Sequence, residues 1–321
     1  MKSKNNVLIT ILKNRSLTLL VIIVLITLVM SILFPRSFFS FYNLKTVLLN
    51  LSVEGTLAVG MMFLLIAGVF DLSVGSNLAC SAAVMAIILK SFPSFPLIPA
   101  VLLGVATGSL AGLVNGYLVK AGVNALIATL ATMGILRGVA LLLLGVNVKL
   151  PESLFGLGQT VIFGIQIPVF YMIGIVVAGA LVLAKTKFFR QIYYVGANRK
   201  AAVLSGIPAD RIIIILFVLM GTIAGFVGAV LAAQLRAAVA QIGNGVELRV
   251  ISAVIIGGGS LTGGKGTVIG AFLGALFIVL LGTVMIIAGV SIYLQNIIVG
   301  LVLIGAVTLD AVLQKKYGIM A

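Results

Sequence analysis

The chain has 321 residues, of which 62% are hydrophobic and 8% charged, with a formal net charge of +15, no histidine and one cysteine. A soluble domain carries roughly 25% charged residues, so this composition excludes one and indicates a polytopic membrane protein. Cys80 has no cysteine to pair with, and the lack of histidine removes the commonest general base, metal ligand and proton relay.

Crossing a bilayer takes about 20 apolar residues. In chain order the spans fall at 17–34, 45–67, 73–89, 97–118, 124–145, 168–184, 212–233, 246–257, 267–287 and 292–309. Lys2, Lys4, Lys13 and Arg15 ahead of the first run imitate a signal sequence. The run is too long for a signal h-region, and Phe34-Pro35-Arg36 lacks a small-x-small cleavage pattern, so it reads as a retained first span. The eighth segment is short for a full crossing, holds Arg249 and ends at Gly257-Gly258-Gly259. A broken or tilted helix is tolerated there only where protein or a watery cavity covers its backbone.

With ten spans and both termini cytoplasmic, 14 of the Lys and Arg residues lie inside and six outside, Arg249 among the six, while Arg137 sits in a span. Nine spans would put Lys315 and Lys316 outside, so ten agrees better with positive-inside bias. The seven tyrosines fall near span ends, where aromatic belts form. The cations lie between apolar runs rather than along one soluble face, so no nucleic-acid partner is expected. The predicted fold is all-α, about ten transmembrane helices in one domain over residues 1–321, with a cytoplasmic segment at 185–211.

An apolar run, an acid and a Gly/Ser-rich interrupted helix describe 55–90 around Asp71, and again 221–262 around Glu247. An inverted repeat would put these acids on opposite sides of the membrane, and chance likeness in a glycine-rich chain accounts for the pattern equally. Gly104, Gly108, Gly112 and Gly116 recur every four residues, as do Gly266, Gly270 and Gly274, with Gly221 and Gly225 on the seventh span. Each set makes a flat helix face where another backbone approaches closely. Gly259-x4-Gly264-Lys265 nearly matches a P-loop, but Gly266 stands where Ser or Thr must hold magnesium, so no nucleotide is expected on this chain.

Asp71 and Glu247 are either functional intramembrane acids or caps of the third and eighth helices. Arg137 must face the bundle, pair with an acid or carbonyls, or snorkel outward. Asn77, Asn115 and Asn124, with Gln241, Asn244 and Asn296, either line a path for a hydroxyl-rich solute or bond helix to helix. Residues 196–211, GANRKAAVLSGIPADR, interrupt the apolar pattern and read as one short helix. Asn198 caps its start, Gly206 turns its end and Pro208 stops it. About eight residues are too few for a helix to stand alone, and the apolar side formed by Ala201, Ala202, Val203 and Leu204 points to docking on another protein.

Four ordered pieces, FDLSVGS (70–76), NALIATLATMGILRGV (124–139), GANRKAAVLSGI (196–207) and ELRVISAVIIGGGSLTGGKGT (247–267), resemble the sugar-type permease subunits of bacterial ATP-binding-cassette importers. The resemblance implies a multi-pass inner-membrane permease that moves a monosaccharide or similar small polar solute by alternating access. It implies a second permease copy or similar subunit, cytoplasmic ATP-binding subunits that perform the hydrolysis, and an extracytoplasmic solute-binding protein. Residues 196–207 then resemble the coupling element, with Gly196, Asn198, Arg199, Ala201, Ala202, Leu204, Ser205 and Gly206 facing the ATPase. Asp71, Asn77, Asn115, Asn124, Glu247 and Arg249 are the path or gate candidates. Arg249 departs from the acid expected there. The alternatives are a permease for branched-chain amino acids or nucleosides, or an ion-coupled secondary transporter using Glu54, Asp71 or Glu247. A membrane enzyme lacks paired acids and a recognisable nucleophile.

Overall fold

The computed structural model describes the backbone of residues 15–317 and the side chains of 16–308. Lys2, Lys4 and Lys13, on which the cytoplasmic N-terminus rests, lie outside the described residues, and the side chains of Arg15, Lys315 and Lys316 do too. In chain order the helices are α1 (Arg15–Leu33), α2 (Pro35–Phe38), α3 (Phe41–Ile66), α4 (Val74–Ser91), α5 (Leu97–Lys120), α6 (Ala125–Leu144) and α7 (Gly156–Gln159). They continue with α8 (Ile167–Lys185), α9 (Lys187–Ala197), α10 (Arg199–Leu204), α11 (Ala209–Leu235), α12 (Val246–Ile256), α13 (Val268–Ile287) and α14 (Ile292–Tyr317). Among the described residues, eight helices are long and apolar enough to cross a membrane, and α14 adds a shorter apolar stretch, Ile292–Thr308. Every predicted span is a helix. The bundle is all-α apart from short strands that tie its loops.

The eighth segment is no full span. α12 has 11 residues, about 16 Å at 1.5 Å per residue, roughly half a bilayer core. β2 (Ala237–Val239) pairs antiparallel with β1 (Asn147–Lys149), and residues 240–245 then run inward to α12. Residues 67–73 are likewise non-helical, between α3 and α4. The two interrupted segments meet, since a Cβ at Gly75 would strike the Gly243 carbonyl and the Glu247 carboxylate. Two broken helices approaching by their N-terminal ends is the geometry that an inverted repeat produces.

Contacts sort the loops onto two faces. Gly264 N–H donates to the Ile66 carbonyl at 2.8 Å, and Gly196 lies against both, so 66–68, 187–206 and 257–267 share one face. The other carries the β1–β2 ribbon, the Gln159 amide that donates to the Gln234 carbonyl, and Gly164 against Phe41.

Glycine fixes the packing. On α5, a Cβ at Gly108 would strike the Gly221 carbonyl oxygen of α11, and one at Gly112 the Phe217 carbonyl. Gly270 and Gly274 on α13 press in the same way against Gly257, just past the end of α12, and against Ala253 within it. Hydrocarbon gives apolar side chains little reason to leave it, so association rests on close van der Waals fit, which needs residues without side chains. Gly134 on α6 faces open space. Gly112→Ala should therefore cost about 1–3 kcal/mol through overpacking, seen as a lower midpoint of thermal unfolding in detergent. Gly134→Ala should leave that midpoint unchanged.

Candidate functional site

Three places concentrate polar chemistry: an exposed elbow, a buried asparagine network and an ion pair within the bundle. The elbow is α9 and α10. Sequence reasoning expected one helix of about eight residues, and the structure has two, of 11 and six residues. The first was missed because KFFRQIYYVGA mixes apolar and basic residues and belongs to no span. Thr186 caps α9, its hydroxyl accepting from Phe189 N–H, and Asn198 caps α10, its side-chain oxygen accepting from Ala201 N–H at 3.0 Å. Gly206, at φ +81°, ends the turn in the left-handed region, as the sequence predicts.

Burial divides the proposed docking face. Leu204 is 89% exposed, whereas Ala202 is 4% exposed and packs inward. Ala202 thus packs into the elbow's own core. Ala201, Ser205, Arg199 and Asn198 are exposed beside Leu204. Arg199 pairs with Asp210 at 2.8 Å, and with both side chains more than two-fifths exposed this bridge adds at most about 1 kcal/mol. Gly196 is not on the outer surface. A Cβ there would strike the Ile66 carbonyl, and Gly68 and Gly263 crowd the same point. Tyr193 donates its hydroxyl to the Gly266 carbonyl at 2.8 Å, and burial pushes its phenol pKa above the ordinary value, so it stays protonated. The elbow is bolted through glycine backbones to both loops that lead to the broken helices.

The asparagine network joins three elements. Asp71 Oδ1 accepts from Ser73 N–H at 2.8 Å and from the Ser73 hydroxyl at 2.6 Å. Asn115 of α5 donates to the Ser73 oxygen at 3.0 Å and accepts from Thr132 of α6 at 2.6 Å. Asn77 donates to the Gly108 carbonyl at 3.2 Å. Asp71, Asn77 and Asn115 are buried; Asn77 and Asn115 bond helix to helix, Asp71 bonds within its own turn to Ser73, and Asn124 caps α6 by accepting from Leu126 N–H.

Arg137 of α6 donates through one nitrogen to the carbonyls of Ala240 and Ile242, holding the inward-running segment, and feels the charge of Glu247. Glu247 lies in the first turn of α12, close to Gly75 of α4. Arg249 corrects the expected topology. It was counted as an outer-loop cation, but it lies on α12 and pairs with Glu54, midway along α3, at 2.6 Å. Hydrocarbon around a lone cation demands such a partner, so an acid inside the second span and a cation inside the eighth segment were the available signal.

A protein family described as "Branched-chain amino acid transport system / permease component" matches residues 43–307. The chain belongs to this permease family. Relatives agree over most of its length. The L-arabinose transport system permease protein AraH of Escherichia coli (strain K12) is 37% identical over 291 residues, 88% of this chain and 87% of the relative. The ribose import permease protein RbsC of Bacillus subtilis (strain 168) is 35% identical over 293 residues, 89% of each. The autoinducer 2 import system permease protein LsrC of Enterobacter sp. (strain 638) is 35% identical over 309 residues, 95% of this chain and 89% of the relative. No solved structure matches the chain. The permease is therefore a membrane transport component, and the elbow and the ion pair are its two unusual polar features.

Arg137→Met should leave the carbonyls of Ala240 and Ile242 without their charged donor and loosen the segment. Hydrogen–deuterium exchange should then accelerate at 240–246 while the α5–α11 pair stays protected. Uniform protection in the variant would show that the arginine is not what holds this segment.

Proposed function

We propose that this permease is the membrane subunit of an ATP-driven importer for a monosaccharide or closely related polar solute. The observation that carries the reading is the elbow: an exposed Leu204 on a six-residue helix too short to stand alone, bolted at Gly196 to the loops of both broken helices. A push on such an element reaches the bundle centre, because its anchor points are backbone contacts with no side chain to absorb the motion. The solute class follows from the relatives, whose names specify arabinose, ribose and autoinducer 2.

In this reading the elbow face is cytoplasmic and receives two ATP-binding subunits. An extracytoplasmic binding protein delivers solute to the other face, and a second permease copy or similar subunit completes the complex in the bacterial inner membrane. ATP-driven closure of the partner subunits moves the elbow, and α12 and α4 follow it. Lys185, Lys187, Arg190, Lys200 and Arg211 all lie at or beside the elbow, as positive-inside bias requires of a cytoplasmic face.

Three measurements test this. Leu204→Glu should abolish co-purification of the ATP-binding subunit while the permease remains monodisperse in detergent; Ala202→Glu should instead disrupt the elbow and lower the yield of folded protein. Equal co-purification of Leu204→Glu and the wild type would refute the docking role. In vesicles, uptake by the full complex should stop on ATP depletion and persist with an uncoupler. The opposite pattern would favour an ion-coupled carrier. The chain alone should hydrolyse no ATP.

A further inference from the structure

An open cleft of about 360 Å³ lies between α3, α12, α13 and α14. Its wall starts at Ile286 and Ile292, beside the turn from α13 to α14, and runs inward to Glu54 and Arg249. No residue of α3 beyond Glu54 lines it, and residues 57–66 on that helix are buried. The cleft thus opens to the face opposite the elbow and ends at the ion pair. A second hollow of about 270 Å³ adjoins it, sharing Arg249 and Asn296. A volume of this order is at the small end of the roughly 300–1,000 Å³ that small-molecule sites occupy.

We propose that the Glu54–Arg249 pair is the polar station on the solute path, where a neutral, hydroxyl-bearing solute exchanges hydrogen bonds before passing inward. The pair has unused capacity on both sides. Glu54 Oε1 accepts from Arg249 Nε, but Glu54 Oε2 is buried with no partner. The guanidinium of Arg249 has two further nitrogens, and its side chain is 34% exposed. Oε2 is closed off while the pair is intact, so a solute hydroxyl can donate to it once Arg249 moves aside, while a second hydroxyl accepts from the guanidinium. Asn50, Gln295, Asn296 and Thr283 add neutral polar groups along the wall.

Charge selects the solute class. The paired acid and base cancel, so an anionic or cationic solute meets no net counter-charge, whereas a polyol meets a donor and an acceptor side by side. Stability is a poor reason for the pair, because desolvating both ions offsets most of what their attraction gains. Its location also gives it a mechanical role. Arg249 is carried by α12, whose far end packs through Gly257 on α13 and leads into the loop bolted to the elbow at Gly196. A shift of α12 separates Arg249 from Glu54 and opens the floor of the cleft.

This inference rests on the importer reading for its solute, so the test has an arm independent of transport. In the full complex, on a Cys80→Ala background, Asn50→Cys and Asn296→Cys are treated with a membrane-impermeant charged thiol reagent on the face opposite the elbow. Leu142→Cys, on a highly exposed apolar face of α6, serves as the lipid-facing control. Both cleft cysteines should react at least about tenfold faster than the control, because ionised thiols form in water and not in hydrocarbon. In the second arm, uptake of radiolabelled D-ribose and L-arabinose is measured for Glu54→Gln and Arg249→Gln. Each should lower uptake about tenfold or more in complexes that still purify intact, the loss expected of a hydrogen bond to a charged group. Cleft cysteines as inert as Leu142→Cys would overturn the proposal, as would wild-type uptake by both variants. Should the wild-type complex take up neither sugar, the sugar reading fails while the labelling arm still decides whether the cleft is a watery path ending at the pair.

Discussion

Helices dissolved in hydrocarbon gain little by burying leucine against leucine, so the packing of this permease depends on backbones touching at glycine. α5 and α11 approach so closely through Gly108, Gly112 and Gly221 that each carbonyl occupies the space where the other's Cβ would be. The same device recurs where α12 meets α13 and where Gly75 meets Gly243. Contacts of this kind are stiff. They leave no side chain to rotate out of the way, and so a displacement of one element is handed to its neighbour rather than absorbed.

That stiffness gives the broken helices their meaning. Interrupted backbone at membrane depth is tolerated only inside protein, and both interruptions here are held by protein contacts: 67–73 by the Asp71–Ser73–Asn115–Thr132 network, and 240–245 by Arg137 and the start of α4. The glycine junction at Gly68, Gly196 and Gly263 then ties the loops beyond them to a single exposed elbow. A transporter of small solutes needs a lever outside the bilayer and movable elements within it. This arrangement joins the two without a long linkage.

Polar residues divide into those that hold the bundle and those that face its cleft. The asparagines at 77 and 115 look alike in sequence to any path-lining amide, yet their bonds are spent on Gly108, Ser73 and Thr132. Arg249 looks like a loop cation in a short segment, yet it reaches Glu54, 195 residues away in sequence. Pairing lowers the cost of keeping both ions at that depth, and it leaves Glu54 Oε2 buried without a partner beside a partly exposed guanidinium.

The sequence by itself determined the class of protein, the position of nearly every span, the short eighth helix, the glycine faces and the caps at Asn198 and Gly206. These follow from local rules: apolar length against bilayer thickness, small-residue spacing, and side chains that bond their own backbone. Only the tertiary structure decided that Ala202 points inward, that α9 joins α10 in the elbow, that Asn77 and Asn115 are bonding residues, and that Glu54 answers Arg249. Each of these depends on which distant segment lies opposite, and burial and pairing partners are properties of that juxtaposition, which no periodicity within one helix encodes.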